Sequence, residues 1–321
     1  MEKNFLDFRF PVTSSIDKTI RLKICNECQL SCKYCHREGS NTSTQITSEH
    51  DLNKIMTLGK EMNRNRIHLT GGEPTLNIAI EKIIRTFINN NFEVSITTNG
   101  IFCIDTLKRM LDSGLNDFTF SLHSITPEGF VQFNRSKITT SQAERWIYII
   151  LSNIAFLLEN GINPDINTIV CDRIHQSEII RKCFYQWNLN VNLLTTVNSS
   201  FDNMQEKIRL IRTYDLLPFQ YVRAINCSKS RYDFVSNNSF KNRISFLIFE
   251  DFYLNSLCEN CNKKRIECDE KYYGVRVEKN KNNLLVRPCL NRNLLIPIEG
   301  FTNTIIGKEI IKMNNYELVI K

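Results

Sequence analysis

Residues able to do chemistry crowd into two stretches of this chain. The first reads Cys28-Gln29-Leu30-Ser31-Cys32-Lys33-Tyr34-Cys35, a Cys-x3-Cys-x2-Cys spacing inside one short loop. Three thiolates this close can hold three irons of a [4Fe–4S] cluster and leave the fourth iron open. The bland alternative is zinc, but a structural zinc site takes four ligands, usually as two separated pairs. The second stretch reads Cys258-Glu259-Asn260-Cys261, then Cys268, and after a predicted hairpin Arg287-Pro288-Cys289-Leu290. Four thiols in that arrangement fit either a second [4Fe–4S] cluster or a zinc site, and spacing does not decide between them.

Three short polar segments accompany the cysteines. In Thr70-Gly71-Gly72-Glu73-Pro74 the paired glycines let backbone approach a ligand closely, and Glu73 can accept from a ligand ammonium. Thr97-Thr98-Asn99-Gly100 and Ser121-Leu122-His123-Ser124 offer hydroxyls and an amide. Each alone is a common turn. Cys25 makes a Cys-x2-Cys pair with Cys28, but a fourth thiolate would close the open iron, so it reads as a strand-end residue. His36, next after the triad, reads as a hydrogen-bond donor to the site.

The elements that must position these groups follow from periodicity. Short β-rich runs at Thr19 to Ile24, Arg66 to Thr70, Glu93 to Thr97, Asp117 to Leu122, Asp165 to Val170 and Asn192 to Val197 alternate with helical patterns at Ser48 to Met62, Ile78 to Asn90, Ile104 to Ser113, Ser141 to Asn160 and Gln176 to Trp187. Strict alternation implies parallel strands joined by right-handed crossovers, hence an α/β sheet or barrel of about six units with ligands at the carboxyl ends of its strands. The triad and all three polar segments fall at such ends. After about residue 200 the rhythm fails, so we expect a barrel over 15–215 and a smaller cysteine-bearing module over 216–321.

Composition narrows the class. The 321 residues are 42% hydrophobic and 23% charged, enough for a sizeable core. Tyr148 to Leu158, the longest apolar run, is interrupted by Ser152 and Asn153 and falls short of a membrane span. The start, Met1-Glu2-Lys3-Asn4, has no basic segment leading into an apolar stretch, so a cytoplasmic location is expected. In that reducing compartment 12 cysteines point to metal or redox chemistry rather than disulfides. The net charge of +7 is spread thinly, which makes nucleic acid an unlikely partner. Cys103, Cys171, Cys183 and Cys227 read as small core residues.

With the triad, Tyr34 before its last cysteine and Gly71-Gly72-Glu73-Pro74 in order on successive strand ends, the sequence resembles the radical S-adenosylmethionine (SAM) superfamily. The resemblance implies a partial (β/α)6 barrel with a small C-terminal auxiliary-cluster module. It implies a [4Fe–4S] cluster on Cys28, Cys32 and Cys35 whose open iron takes the amino and carboxylate groups of SAM, which is cleaved by one electron to a 5′-deoxyadenosyl radical. By similarity Tyr34, Gly71, Gly72, Glu73, Thr98, Asn99 and Ser121 bind SAM: the glycine segment its amino group, Ser121 its carboxylate, Thr98 and Asn99 its methionine and ribose. Such an enzyme needs an electron donor of flavodoxin or ferredoxin type, and beside it Cys258, Cys261, Cys268 and Cys289 favour a second cluster over zinc.

Over residues 18 to 290 the sequence is similar to the superfamily branch of the GTP cyclase that opens molybdenum-cofactor synthesis. Shared pieces are Arg21-Leu22-Lys23-Ile24, Ile67 to Leu76, Asn167-Thr168-Ile169-Val170, Cys258 with Cys261, and Arg287-Pro288-Cys289-Leu290. That resemblance points to Arg21, Asn167 and Arg276 as substrate residues. The departures are Asp165 and His68 where that branch carries cations, Cys268 as an added thiol, and an end, Glu317 to Lys321, without paired glycines. We therefore expect radical chemistry on a small molecule, a nucleotide, nucleoside or natural-product intermediate, that carries fewer phosphates than GTP. A peptide maturase and the cyclase itself are the alternatives; only 27 residues precede Cys28, little room for a leader-peptide domain.

Overall fold

The computed structural model describes residues 2–5, 7–35, 44–170, 173–194, 204–237, 239–261, 268, 270–292 and 294–315. His36, Cys171, the last residues of the sixth predicted strand and the C-terminal Glu317 to Lys321 lie outside them. In chain order the strands are β1 (Glu2–Phe5), β2 (Phe8–Ser15), β3 (Thr19–Lys23), β4 (Arg66–Thr70), β5 (Glu93–Thr98), β6 (Asp117–Ser121), β7 (Asp165–Ile169), β8 (Val191–Leu194), β9 (Leu216–Ala224), β10 (Lys229–Ser236), β11 (Ser239–Phe249), β12 (Val275–Asn280), β13 (Asn283–Arg287) and β14 (Ile296–Pro297). The helices are α1 (Glu49–Glu61), α2 (Ile80–Asn89), α3 (Ile104–Asp112), α4 (Pro127–Gln132), α5 (Thr140–Glu159), α6 (Arg173–Ile179), α7 (Met204–Thr213), α8 (Asn255–Cys258) and α9 (Ile305–Asn314).

β3 to β8 lie side by side in sequence order and all parallel, as the alternation predicts. Their period of two sorts residues between faces. Ile20 and Leu22, Ile67 and Leu69, Phe118 and Phe120 are buried on one face. Against it pack helices with apolar stripes, such as Ile80, Ile83, Ile84 and Phe87 of α2 and Ala143, Ile147, Ile150, Ile154 and Leu157 of α5. Ser48 caps α1 by accepting the Asp51 N–H at 3.1 Å, and Thr139 does the same for α5. The other face carries polar residues held in register across the ladder: Arg21 opposite His68, His68 opposite Ser95, Thr97 opposite Thr119, Ser121 opposite Asn167, Asn167 opposite Asn192. Most of these are only partly buried, so this face lines the concave side of a partial barrel.

Two features depart from the sequence pattern. The N-terminal hairpin β1–β2 adds strands through β2, which pairs in parallel with β9. The antiparallel meander β9–β10–β11 joins the sheet where β11 pairs in parallel with β8. Its other end reaches the segment before β12: Ser228 N–H donates to the Tyr272 carbonyl at 2.7 Å, and Tyr272 N–H to the Phe252 carbonyl at 2.9 Å. β12 pairs in parallel with β3. The meander therefore spans the side on which no barrel strand joins β8 to β12, while the sheet itself stays open, ending at β1 and β14. Residues from 216 onward thus contribute to both flanks of the same sheet.

Candidate active site

The triad sits beyond the carboxyl end of β3. Cys28 and Cys35 are exposed and Cys32 is half-buried, all as free thiols. The loop is stitched to the segment after α4: Lys33 N–H donates to the Phe133 carbonyl at 3.0 Å and Arg135 N–H to the Ser31 carbonyl at 2.7 Å. Tyr34 meets the His123 ring edge-on at 4.5 Å, tying the loop to the end of β6. Although part of Cys28 reaches solvent, the protein around its sulfur desolvates the thiol and pushes it up to about 11, with the Glu73 carboxylate and then Cys32 and Cys35 adding to the rise. Burial also raises Cys32, again with Cys35 contributing. Among the described residues no three Cys, His, Asp or Glu side chains converge as they would on a single metal ion; ligands to three different irons of a cluster need not do so. The donor set, three clustered thiols at an open barrel mouth, fits a cluster with one iron left free.

Cys25 is buried, its thiol donating to the Glu73 carbonyl at 3.0 Å. Burial, with the Glu73 carboxylate next, raises it to about 12. Gly71 and Gly72 close on this same segment. Gly72 N–H donates to the Cys25 carbonyl at 3.0 Å and Glu73 N–H to the Glu27 carbonyl at 2.7 Å. A Cβ on Gly72 would fall 2.1 Å from the Glu27 oxygen. The glycines thus let the end of β4 clamp the residues that lead into Cys28.

Glu73 and Thr98 lie beneath the site rather than in it. The Glu73 carboxylate accepts from the Thr75 N–H and hydroxyl, the Thr98 hydroxyl (2.6 Å) and the Asn99 N–H (2.7 Å), and is buried. Burial raises its proton affinity even against those bonds. Three of these donors meet Oε1 and only the Asn99 N–H meets Oε2. Asn99 faces the triad: its Nδ2 donates to Gln29 at 3.0 Å and lies 3.9 Å from Cys28 Sγ. The turn around it is held by Asn153 of α5, whose amide donates to the carbonyls of Gly100 and Phe102 at 3.0 and 2.9 Å. In the sequence Asn153 showed only as an interruption of an apolar run. Gly100 itself has φ +79, and Phe120 fills the space a side chain would need.

The four later cysteines come together. Cys258, Cys261, Cys268 and Cys289 line one cavity with Tyr253, Leu257, Lys271, Asn291 and Arg292. Cys268 Sγ accepts the Lys271 N–H at 3.2 Å. Burial, then Glu270, raises Cys289 to about 11. This cavity lies before β12 and after β13, at the amino end of the parallel strands and so opposite the triad. Four thiols that line one cavity without converging on a single point suit ligands spread over the irons of a cluster rather than one ion.

Between the two ends runs the polar inner face. The Arg21 guanidinium stands 4.7 Å above the Tyr273 ring and donates to its hydroxyl at 2.9 Å. Lys229 at 4.9 Å and Arg276 at 5.4 Å share that ring, and Arg276 pairs with buried Glu270 at 2.7 Å. The other carboxylate oxygen of Glu270 accepts the Leu290 and Asn291 N–H groups beside Cys289. His68 is wedged between the Ser95 and Thr97 hydroxyls at 2.8 and 2.9 Å. Burial, then Arg21 and Lys229, holds it well below the usual imidazole range and hence neutral. Asn167 accepts from Asn192 at 3.0 Å, with Ser121 opposite it. Asp165, whose negative charge predicted a wall depleted of cations, pairs with Arg243 of β11 at 3.3 Å. Sequence reasoning missed Arg243, Tyr273, Lys229 and Glu270 because each reaches the face from an element that the βα rhythm does not announce. Cys183 and Cys227 are buried as core residues, whereas Cys103, read from sequence as another, is exposed just before α3.

Residues 22–172 match the Radical SAM superfamily. Among curated proteins, a probable GTP 3′,8-cyclase of Saccharolobus islandicus is 28% identical over 261 residues, covering 78% of this chain and 80% of that protein. The GTP 3′,8-cyclase of Aquifex aeolicus is 23% identical over 276 residues, covering 80% and 81%. Among solved structures, Streptococcus suis SuiB bound to S-adenosylmethionine shares the fold with a TM-score of 0.59 at 12% identity, covering 92% of this chain and 68% of SuiB. Histidine-tagged anSMEcpe with bound AdoMet matches with a TM-score of 0.56 at 15% identity, covering 96% and 84%. No helix among the described residues is long and apolar enough to cross a membrane. The free-thiol triad at the mouth of the partial barrel falls within the matched residues: 22–172 carry a radical SAM domain, and the chain is similar over most of its length to the GTP 3′,8-cyclases.

Proposed function

We propose that Cys28, Cys32 and Cys35 hold the SAM-binding [4Fe–4S] cluster, that Cys258, Cys261, Cys268 and Cys289 hold a second one, and that a small molecule is the substrate, bound between them. The observation that carries this reading is the placement of two thiol groups at opposite ends of one barrel with a polar, partly exposed wall between. When bound, the first cluster and SAM supply a 5′-deoxyadenosyl radical that can abstract a substrate hydrogen. The chain's own part is positional. Main-chain carbonyls of Gly71 to Glu73 take the SAM ammonium, Ser121 its carboxylate, Asn99 and Tyr34 the remainder, while Glu73 and Thr98 fix the Asn99 turn from below. Arg21, Arg276 and Asn167 orient the substrate from the wall.

In this reading 15–215 act as the catalytic barrel and 216–321 as the module that carries the auxiliary cluster and completes the wall. The substrate class is a nucleotide, nucleoside or comparable metabolite; cyclisation of GTP itself is the nearer alternative and peptide modification the farther. An electron donor of flavodoxin or ferredoxin type and a cytoplasmic setting complete the proposal. The test is anaerobic reconstitution followed by an assay for 5′-deoxyadenosine. Each of Cys28→Ala, Cys32→Ala and Cys35→Ala should abolish its formation, and Cys25→Ala should retain it. Full cleavage of SAM by any of the three triad variants would remove the assignment.

A further inference from the structure

The inner wall holds a second pair of guanidiniums, on the strands that span the open side of the barrel. Lys229, Arg231 and Asp233 alternate along β10 and so project from one face. Asp233 lies opposite Ser245 of β11, and Ser245 lies opposite Asn192 of β8, which puts all of them on the polar inner face. Asp233 is wholly buried. It accepts from the Ser245 hydroxyl at 2.7 Å, Arg231 Nε at 2.8 Å and Gln220 Nε2 at 2.8 Å. Arg243 Nε lies 3.8 Å from it and donates to Ser245 at 3.1 Å, while Arg243 Nη2 reaches Asp165 at 3.3 Å.

A buried carboxylate thus fixes two arginines side by side without using up their donors. Both terminal nitrogens of Arg231 and one of Arg243 make no further hydrogen bond among the described residues, and the two side chains are 35% and 27% exposed. Arg231 pairs with Asp233 and Arg243 with Asp165, so each carboxylate is met and the remaining nitrogens are left for a ligand. The charge balance sets the ligand class. Arg231 and Arg243 face Asp233 and Asp165, two cations against two carboxylates, while Lys229 and the buried Arg64 both pair with Asp17. With that charge already balanced, the free donor nitrogens of the pair are what remains, and they suit a compact oxyanion of low charge. A triphosphate would bring several charges that this balanced pair does not offset.

We infer that Arg231 and Arg243, pre-set by Asp233, form an oxyanion subsite for a substrate bearing a single carboxylate or phosphate monoester. The inference rests on the small-molecule reading above and deepens it. The test is calorimetric titration of the reconstituted enzyme with SAM present, using acetate, inorganic phosphate, guanosine 5′-monophosphate and GTP as probes. We expect saturable binding of phosphate with the monophosphate, or of acetate, which tells a phosphate monoester from a carboxylate, and weaker binding of GTP than of the monophosphate. Arg231→Gln should weaken the bound probe at least tenfold. Arg243→Lys, which keeps a cation beside Asp165 and Asp233 and so spares the fold, should weaken it comparably by removing the fork. Absence of binding by every probe, unchanged affinity in both variants, or GTP binding more tightly than the monophosphate would overturn the subsite. SAM cleavage by the same wild-type preparation reports separately on the underlying reading: cleavage without anion binding removes the subsite alone.

Discussion

Gly72→Ala tests whether the glycine pair serves to seat the triad. The added Cβ would lie 2.1 Å from the Glu27 carbonyl oxygen, where ordinary contact begins at 3.4 Å, so the two segments must part by about 1.3 Å. That stretches the 2.7 Å bond from Glu73 N–H to Glu27 beyond hydrogen-bonding range and threatens the 3.0 Å bond from Gly72 N–H to Cys25. Two buried backbone bonds broken cost about 1–3 kcal/mol each. A loss of about 3–5 kcal/mol is expected, a large part of a typical domain's stability. The displaced segment is the one that leads into Cys28, so the triad should also lose its geometry. The assay is denaturant unfolding alongside iron analysis after anaerobic reconstitution, with Gly161→Ala as control. Gly161 has φ +77 and nothing within 4 Å of the added atom, so it should cost only about 1 kcal/mol and keep its iron. A Gly72→Ala protein within about 1 kcal/mol of wild type and fully loaded with iron would refute the clamp.

The wild-type chain should hold about eight irons and eight sulfides, and Cys258→Ala or Cys289→Ala about four, with SAM binding spared; stoichiometric zinc with iron never above about four would make the second site a zinc site. Arg64→Met removes a buried guanidinium that pairs with Asp17 at 3.4 Å, donates to the Thr19 carbonyl at 2.7 Å and binds Asn314 of α9 at 3.1 Å, and should cost about 3 kcal/mol by denaturant unfolding, whereas a loss under about 0.5 would discount that network. Burial depresses the His123 imidazole to about 3, so the folded state resists a proton that the unfolded chain accepts near 6.5. Stability of the cluster-free protein should therefore fall as pH drops from about 6.5 toward 3, and His123→Gln should flatten that decline; an unchanged slope would argue against it.

Six strands, five helices and the strand-end motifs were legible because their period matched the element that carries them: Ile20 and Leu22 alternate with Arg21, and Ile80, Ile83, Ile84 and Phe87 fall on one stripe. The meander was not legible. Its ladder is interrupted by register shifts at Asp233/Phe234 and Phe234/Ser236, which break a clean alternation. Its inward side carries Arg231, Asp233 and Arg243, which in sequence resemble solvated charges. The hairpin β1–β2 was hidden likewise by Glu2, Lys3, Arg9 and Thr13. Asn153 shows how a local reading inverts a role: a polar residue in an apolar run looks like a flaw in the helix, yet it supplies the two hydrogen bonds that fix the turn beside Asn99.

The same limit explains the charge of the wall. From sequence, Asp165 and His68 look like two cations lost relative to the GTP cyclases. At about 4 Å and an effective dielectric near 20, one such carboxylate would repel a phosphate charge by about 4 kcal/mol. The structure keeps half of that argument. His68 is neutral between Ser95 and Thr97, so no cation stands there. Asp165, however, is met by Arg243, 78 residues away in sequence and adjacent in space. The positive charge has moved from β7 to β11 rather than disappeared. An arginine between Asp165 and Asp233 keeps one terminal nitrogen free among the described residues but spends its net charge on them. Such a group offers donors to a small oxyanion and little net charge to a polyphosphate, and it stands apart from the triad and its strand-end supports.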